Sequence, residues 1–225
     1  MNNRRVAITG LGVVSPLGRC VSSTWQALMA RQSGIAPIQL FDASKFPTTI
    51  AAEVKSFTPD PALRTKPNRF ASRFTWFALD AALQAMHDAK IAVNATNASR
   101  FGIVTGSGMM TADFDGLQRF QQTCALHGEV NWAELAEKSQ AFYQLSDFAK
   151  TMSNTGLALL IQQFGLKGYA SAVHTACASG GQALGLAMRV IRRGDADYML
   201  AGGFDSMISP LGLSSFCLLG ALATD

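Results

Sequence analysis

The 225-residue chain has few charged residues, few cysteines and no long apolar run. Charged types make up 15% of the residues, against roughly 25% in an average soluble domain, whereas hydrophobic types make up 48%. This composition excludes a disordered chain and predicts a large buried core. No apolar stretch approaches the ~20 residues that cross a bilayer, which argues against a membrane protein. The formal net charge is only +4, from 19 basic and 15 acidic side chains, so we expect no nucleic-acid partner.

The four cysteines lie far apart and form no Cys-x-x-Cys pair. Their spacing argues against a zinc site and against the disulfide framework of a small secreted protein, so no bound metal is expected. A reduced, cytoplasmic setting agrees best with this cysteine spacing. Arg4 and Arg5 precede the apolar run 6–14, as in a short secretory signal, but Gly10 and Gly12 interrupt that run and its β-branched residues favour a buried strand.

Hydrophobic periodicity divides the chain into alternating strands and helices. Segment 69–90 has aromatic and alanine side chains on one side and a polar stripe with Asp80 and Gln84 on the other, as in an amphipathic helix. The prolines between 37 and 67 indicate an irregular surface stretch, and 127–143 predicts only helical fragments. The pattern predicts strands at 5–14, 101–108, 169–175 and 198–203, and helices at 25–31 (capped by Ser22 or Ser23), 69–90, 114–126, 153–164 and 177–193. This order predicts an α/β layered fold with a largely parallel sheet.

The strongest candidate for chemistry is Cys177, where the predicted strand 169–175 passes into a helix rich in small residues. A thiol at a helix N-terminus meets the positive end of the helix dipole, which favours the thiolate, and the free backbone N–H groups there can hold a developing oxyanion. Both features suit a nucleophile that attacks a thioester or acyl group. Ala183, Gly185 and Ala187 let the helix run through a packed interior and leave room for an acyl chain. A buried structural thiol in a tight strand–helix junction is the alternative that these residues leave open.

The segment Thr175–Gly180, which reads Thr-Ala-Cys-Ala-Ser-Gly, closely resembles the active-site segment of β-ketoacyl-acyl carrier protein synthases of the synthase II type. These are the condensing enzymes of fatty acid and polyketide synthesis. A non-catalytic chain-length-factor relative is disfavoured, because such relatives lack the cysteine. Further motifs resemble the family in the same order and extend the resemblance over the whole chain; they lie at 6–12, 164–168, 192–197, 201–203 and 209–212.

The resemblance implies a thiolase-type fold, in which two similar α/β halves stack into five layers (αβαβα). Residues 1–225 correspond to the N-terminal half, and the apolar end at 217–225 is expected to be a cut edge of a larger fold. Such acyltransferases load an acyl group from carrier-protein phosphopantetheine onto the cysteine, here Cys177. They then decarboxylate a malonyl-carrier unit and join its carbanion to the acyl carbonyl. No cofactor is implied beyond the phosphopantetheine that carries the substrates.

The family's second half supplies two catalytic histidines, a lysine and one oxyanion-hole amide, and this chain matches none of them. His87 lies on the polar stripe of a helix and His127 in a loop; for His174, in the strand before Cys177, a hydrogen-bonded structural role is favoured over a base. The chain alone is therefore not expected to complete condensation and requires the C-terminal half or a split partner. Two alternatives stay open: a non-catalytic fragment that binds carrier protein or dimerises, and a thiolase-like acyltransferase that does not decarboxylate.

The resemblance also assigns binding roles to single positions. Lys66 and Arg69 match basic positions that meet the acidic carrier protein, with Arg73 nearby on the same helix, and a solvated face is the alternative. The strand before Cys177 resembles one that pairs across a two-fold axis, which predicts a homodimer. Positions that match the acyl pocket, with ordinary packing as the alternative, are Met109, Ala176, Gly212 and Phe216.

One departure from the family limits what the resemblance implies. Between Gly108 and Asn154 the chain is longer than the family pattern, and it lacks the Pro- and Phe-rich segment that normally contributes to the other subunit's acyl pocket. Acyl chain length and pathway are therefore not predicted. Trp132, Phe142 and Tyr143 in this segment are candidates for reshaping the pocket or an interface.

Overall fold

The computed structural model describes residues 4–108, 118–119, 122, 125–126, 129–142, 145–152 and 154–224. Strands and helices alternate along much of this chain, and short 3-10 turns lie at Pro61–Leu63, Pro67–Phe70, Ala98–Arg100 and Ala176–Ala178. In chain order the elements are α1 (Val21–Met29), β1 (Ile35–Pro37), β2 (Ile50–Ala52), α2 (Arg73–Ala89), β3 (Phe101–Gly106), β4 (Ala125–Leu126), β5 (Glu129–Val130), α3 (Trp132–Phe142), α4 (Leu145–Thr151), α5 (Thr155–Phe164), β6 (Ala170–Val173), α6 (Ser179–Arg193), β7 (Tyr198–Gly203) and α7 (Pro210–Leu218).

A parallel sheet in the order β6-β3-β7 forms the centre of the structure. β3 is buried at every residue because it is the middle strand and both of its faces are covered. The register aligns Gly106 of β3 with Val173 of β6 and with Gly203 of β7. The carboxyl ends of the three strands therefore lie at one edge of the sheet.

Helices cover both faces of this sheet and give three layers. On one face, Val104 of β3 packs with Ala183 and Ala187 of α6. On the other face, Ile103 packs with buried side chains of α2 and α5, among them Leu79 and Leu159. Successive strand residues point to opposite faces, which explains why neighbouring residues of β3 belong to different clusters. The α/β layered fold expected from the sequence is confirmed.

Along the described ranges, no helix is long and apolar enough to span a bilayer.

The predicted first strand, 5–14, is wrong. These residues belong to no strand of the described chain, and the Ile8 side chain is 80% exposed. Gly12 packs directly on the α2 backbone at Ala81, while a cavity of about 160 Å³ separates the segment from β3 and β7. A strand requires a hydrogen-bonded neighbour, and residues of β3 and β7 lie across that cavity from residues 10–12.

Several element boundaries also differ from the sequence prediction. α1 begins four residues earlier than expected, and its N-cap is Cys20, whose backbone N–H donates to Ser23 Oγ at 3.3 Å. The stretch 37–67 contains part of an antiparallel hairpin, β1–β2, and contributes the fully buried Leu63 to the core. It is therefore not surface covering alone. Most of the predicted helix 114–126 lies outside the described residues, and its last two residues form β4 instead.

The remaining predictions agree with the structure. α2, α5, β3 and β6 are slightly shorter than predicted, and β7 has the predicted bounds. The helix predicted to start at Cys177 begins instead at Ser179, because residues 176–178 form a 3-10 turn. α6 ends at Gly194, whose φ of +86° closes the helix as the sequence indicated. Helical fragments were expected in 127–143, and α3 occupies most of that range.

Candidate active site

The carboxyl edge of the parallel sheet brings together the segments that follow β3, β6 and β7. Ser107 and Gly108 follow β3, the turn 174–178 follows β6, and Asp205 lies two residues beyond β7. In open α/β sheets this edge is where ligands usually bind, because loops from several strands converge there. The candidate nucleophile Cys177 lies at this edge.

Cys177 occupies a 3-10 turn, Ala176–Ala178, directly before α6. Its side chain is exposed and its thiol is free. Within the described residues, the Cys177 backbone N–H has no hydrogen-bond acceptor. A free thiol and a free N–H group at one residue can serve as a nucleophile and as a donor to the oxyanion that its attack creates.

The turn that carries Cys177 is strained. Ala176 has φ of +52°, in the left-handed region that side chains other than glycine rarely adopt. Such a conformation persists only where the surrounding structure holds it, and strained backbone is frequent at active sites. It turns the chain sharply out of β6 and leaves the Cys177 side chain exposed.

The first turn of α6 packs tightly on the end of β3. A Cβ atom on Gly106 would overlap with the backbone of Ser179 and Gly180. Glycine is therefore required at Gly106 for this close approach. The contact fixes the start of α6 relative to the sheet and therefore relative to the turn that carries Cys177.

Hydrogen bonds connect the Cys177 turn to the end of β3. The Thr175 N–H donates to Ser179 Oγ at 2.8 Å, and Ser179 Oγ donates to the Ser107 carbonyl at 3.0 Å. His174 Nδ1 lies 3.1 Å from Ser107 Oγ. The hydrogen-bonded position expected for His174 is therefore confirmed.

Asp205 holds the other side of the β3 loop. Its Oδ2 accepts a hydrogen bond from the Gly108 N–H at 2.8 Å, and its Oδ1 accepts one from the Ser206 N–H at 2.7 Å. The loop after β3 is thus connected to the segments after both neighbouring strands. Met109, a predicted pocket residue that directly follows Gly108, lies outside the described residues.

The other predicted pocket residues lie in two places. Ala176 is adjacent to Cys177 in the turn, whereas Gly212 and Phe216 lie one helical turn apart on one side of α7. Ser209 caps that helix by accepting a hydrogen bond from the Gly212 N–H at 3.2 Å. In the described chain, no hydrogen bond connects Gly212 or Phe216 to the Cys177 turn.

The predicted carrier-binding residues lie where the 3-10 turn Pro67–Phe70 leads into α2, and all three side chains are exposed. The Arg69 guanidinium lies 4.6 Å from the centre of the Phe70 ring. Arg73 donates to the Val54 carbonyl at 2.6 Å and lies over the Phe77 ring. Arg73 is therefore partly committed to internal contacts, whereas the Lys66 ammonium makes none with the described residues.

Cys20 is a second thiol with an unusual environment. Hydrogen bonds from the side chains of Ser22 and Ser23 lower the pKa of the Cys20 thiol to about 7. It lies at the start of α1 and has no connection to the Cys177 turn among the hydrogen bonds of the described residues. It is therefore a competing site for thiol reagents.

A surface groove near the start of α2 does not contain Cys177. This groove, of about 820 Å³, is lined by aromatic and polar side chains that include Phe57, Arg73, Trp76 and Ser209. No cluster of metal-binding side chains occurs among the residues that the structure describes.

Sequence reasoning missed the residues that support the turn. Ser107 and Ser179 both belong to motifs recognised in the sequence, but no role could be assigned to their hydroxyl groups. The sequence did contain one signal for such supporting residues. It is a small polar residue beside glycine at the end of a buried strand, as in Gly106-Ser107-Gly108. Asp205 carried no signal, because its partner Gly108 is 97 residues away in the chain.

Comparisons with known proteins agree with this geometry. A family model described as the N-terminal domain of β-ketoacyl synthase matches residues 3–225. The 3-oxoacyl-[acyl-carrier-protein] synthase 2 of Coxiella burnetii is 40% identical over 229 residues, which cover 100% of this chain and 51% of that protein. The enzyme of the same name from Vibrio cholerae is 36% identical over 224 residues, with the same two coverages. The chain thus spans about half the length of these curated relatives.

Solved structures give the same fold. A β-ketoacyl synthase from Burkholderia phymatum superposes with a TM-score of 0.81 at 26% identity, covering 98% of this chain and 51% of that one. A type II polyketide ketosynthase, bound to a hexaketide and in complex with its acyl carrier protein, superposes with a TM-score of 0.76 at 28% identity, covering 99% and 50%. Sequence family and three-dimensional fold therefore agree over the full length of the chain, which belongs to the β-ketoacyl synthase family and has the fold of the N-terminal half of its thiolase-like enzymes.

Proposed function

We propose that this chain supplies the nucleophile of a β-ketoacyl-acyl carrier protein synthase, with Cys177 as the acyl acceptor in a decarboxylative Claisen condensation. The observation that carries the proposal is the exposed Cys177 thiol in a strained turn at the carboxyl edge of the sheet, directly before α6. The family of the chain supports the same assignment. A free thiol agrees with the reduced, cytoplasmic setting expected from the spacing of the cysteines.

The first step is transfer of the acyl group. The Cys177 sulfur attacks the carbonyl carbon of the acyl-carrier thioester, a new S–C bond forms, and the bond to the phosphopantetheine sulfur breaks. The proton of the Cys177 thiol passes to the departing phosphopantetheine thiolate. We assign the Cys177 backbone N–H as one donor to the oxyanion of this step, because hydrogen bonds aimed at developing charge are a large part of such catalysis.

The second step forms the carbon–carbon bond. Malonyl-carrier protein loses carbon dioxide, and the electron pair of the broken bond forms a carbanion that attacks the Cys177 thioester carbonyl. The Cys177 sulfur then leaves, which regenerates the thiolate and releases β-ketoacyl-carrier protein. The resemblance assigns the histidines and lysine of this step to the C-terminal half, so we propose that condensation requires that half or a split partner.

One face of α6 supports the need for a second half. Leu184 is 53% exposed, and a methyl group on Gly181 or Gly185 would meet no described atom within 4 Å. An apolar helix face with glycines allows another backbone to approach closely. We infer that the C-terminal half packs on this face, since the chain covers only 51% of its curated relatives.

We also propose that acyl carrier protein docks beside the start of α2. Lys66 and Arg69 have exposed cationic groups, which attract an acidic partner and speed its encounter. Arg73 contributes less, because its guanidinium already bonds to the Val54 carbonyl. A ketosynthase relative in complex with its acyl carrier protein supports a partner of this kind.

The edge strand β6 supports a homodimer. Among the strands that the structure describes, it pairs only with β3, which leaves the backbone groups of its other side available to a second copy. Light scattering of the chain with its C-terminal half tests this proposal, and a strictly monomeric, stable complex would contradict it.

The experiment that tests the function is acyl transfer from hexanoyl-carrier protein, followed by intact mass. We expect one hexanoyl group on Cys177, lost in Cys177→Ser and kept in Cys217→Ser, which removes another free thiol. Malonyl-carrier protein is then added with a separately produced C-terminal half of the Coxiella burnetii synthase, and carbon dioxide release is measured.

Each outcome identifies one function. Acylation of Cys177 with carbon dioxide release supports the condensing enzyme. Binding of carrier protein without acylation supports a non-catalytic fragment instead, and acyl exchange without carbon dioxide release supports a thiolase-like acyltransferase.

A further inference from the structure

We propose that Ser179 is a positioning residue that holds the Cys177 turn in its reactive geometry, an inference that rests on the proposed function of Cys177. Ser179 is the first residue of α6, and only 2% of its surface is exposed. It does not reach the reacting atoms. Its hydroxyl instead connects the segments that leave β6 and β3.

The two hydrogen bonds of the Ser179 hydroxyl have fixed directions. The Thr175 N–H can only donate, so Ser179 Oγ accepts from it at 2.8 Å. The Ser107 carbonyl can only accept, so the single hydroxyl proton points to it, with an O···O distance of 3.0 Å. Only a side chain that both donates and accepts can bridge these two groups.

This bridge continues the sheet beyond its last backbone hydrogen bond. The final bond between the strands joins the Ser107 N–H to the Val173 carbonyl at 3.1 Å. Past this point the β6 chain turns away toward Cys177, and no direct backbone bond joins it to the β3 loop among the described residues. The Ser179 hydroxyl occupies that gap and keeps Thr175 attached to the end of β3.

The strain at Ala176 makes this attachment important for Cys177. A left-handed Ala176 persists only if its flanking residues are held in place. On one side, Ser179 Oγ fixes the Thr175 N–H; on the other, the start of α6 is packed on Gly106. Removing the hydroxyl leaves Thr175 and Ser107 each short of a hydrogen bond, and the turn can then relax and change the position of the Cys177 thiol and N–H at the end of the sheet.

Neighbouring hydrogen bonds do not replace this one. Thr175 Oγ1 bonds to Gln182 Oε1 at 2.9 Å, and His174 Nδ1 lies 3.1 Å from Ser107 Oγ, but His174, Thr175 and Gln182 are all exposed. Water can substitute for either of these contacts. The Ser179 hydroxyl and its bond to the Ser107 carbonyl are buried, so its loss leaves that carbonyl without a ready alternative.

The test measures alkylation of Cys177 by iodoacetamide, read by peptide mass spectrometry, with Cys217 as the internal reference. In Ser179→Ala we expect the ratio of the Cys177 rate to the Cys217 rate to fall about fivefold or more, as when a buried group loses its partner. Ser179→Thr keeps the hydroxyl and should restore the ratio. Ser72→Ala removes a helix-capping hydroxyl from α2, far from Cys177 in the chain, and should lower stability without changing the ratio.

The outcomes separate this inference from the function on which it rests. A folded Ser179→Ala chain with an unchanged ratio overturns the inference alone. If wild-type Cys177 reacts no faster than the same cysteine in a synthetic peptide of residues 174–180, the activated nucleophile is overturned, and the inference with it.

Amide exchange in the wild-type chain keeps the inference testable if Ser179→Ala does not fold. The Thr175 N–H is expected to exchange about a hundredfold more slowly than the Cys177 N–H, because among the described residues only the former has an acceptor. Equal exchange rates would overturn the inference.

Discussion

At the scale of single residues, the site depends on one strained alanine. Ala176 has φ of +52° immediately before Cys177, and Ser179 and Gly106 hold the chain on either side of it. A left-handed conformation costs a residue with a Cβ roughly 1–2 kcal/mol. The cost falls on the residue that aims the candidate nucleophile, which is where functional strain is commonly found.

Replacement of Ala176 by glycine should relieve this strain. We expect Ala176→Gly to raise the free energy of unfolding by up to about 1 kcal/mol, because the left-handed penalty outweighs the extra freedom of glycine in the unfolded chain. Urea unfolding measures the change. Ala187→Gly, in the buried interior of α6, is the matched control and should lower the same quantity by about 1 kcal/mol. If both variants lowered the free energy of unfolding by the same amount, a left-handed conformation at Ala176 would be contradicted.

Cys20 should ionise near neutral pH. Its thiol pKa is lowered to about 7 by the hydroxyls of Ser22 and Ser23, so its alkylation rate should increase with pH through a midpoint near 7. Ser22→Ala removes the largest of these hydrogen bonds and should move the midpoint upward, toward the ordinary value of 9.0. The control is Ser33→Ala, because the Ser33 hydroxyl accepts a hydrogen bond from the Ile35 N–H and not from Cys20. This variant should leave the midpoint of Cys20 alkylation unchanged. A wild-type midpoint near 9 would show that the two hydroxyls do not stabilise the thiolate.

At the scale of elements, the predictions that succeeded depend on local signals. α6 has small residues on its buried face, arginines in its last turn and Gly194 after its end, and all three are read directly from the sequence. β3 and β7 are short apolar runs bounded by glycine or polar residues. Segment 5–14 has the same apolar character and is not a strand, because pairing depends on which edge the rest of the fold presents to it.

The contact between Gly12 and α2 should be intolerant of a side chain. A Cβ on Gly12 would overlap with the Ala81 carbonyl, so we expect Gly12→Ala to lower the free energy of unfolding by about 1–3 kcal/mol. Denaturant unfolding measures the loss. Gly202→Ala in β7 adds the same methyl where no described atom lies within 4 Å and should change stability by less than about 0.5 kcal/mol. Similar effects at both positions would contradict the packing of this segment on α2.

At the scale of the whole molecule, the sheet is covered on both faces, yet α6 keeps one face open. Leu184 on that face is 53% exposed, and a methyl group on Gly181 or Gly185 beside it would meet no described atom within 4 Å. In a five-layer arrangement this helix would lie between two sheets. The open face therefore agrees with the proposal that a second α/β half packs on it.

Gly185→Ala tests the proposed packing of a C-terminal half on α6. Alanine is favoured over glycine in a helix interior by about 1 kcal/mol, and the added methyl meets no described atom within 4 Å, so the isolated chain should become more stable. If the C-terminal half packs on this face, the same methyl should weaken binding of that half, measured by calorimetry with the separately produced fragment. Lys90→Ala, at the exposed end of α2, serves as a control for binding. Unchanged affinity in Gly185→Ala would place the second half elsewhere.

The sequence by itself determined the family, the α/β class, the strand–turn–helix around Cys177 and the ends of its helix. These follow from local order along the chain: periodicity, capping residues and motifs of a few neighbouring positions. Only the tertiary structure decided that segment 5–14 does not join the sheet, that Arg73 is partly committed to Val54, and that Ser179 and Asp205 support the site. Each of these depends on groups far apart in sequence, such as Ser107 and Ser179, which are 72 residues apart. Tertiary packing brings such distant groups together, and no local sequence pattern predicts which groups will meet.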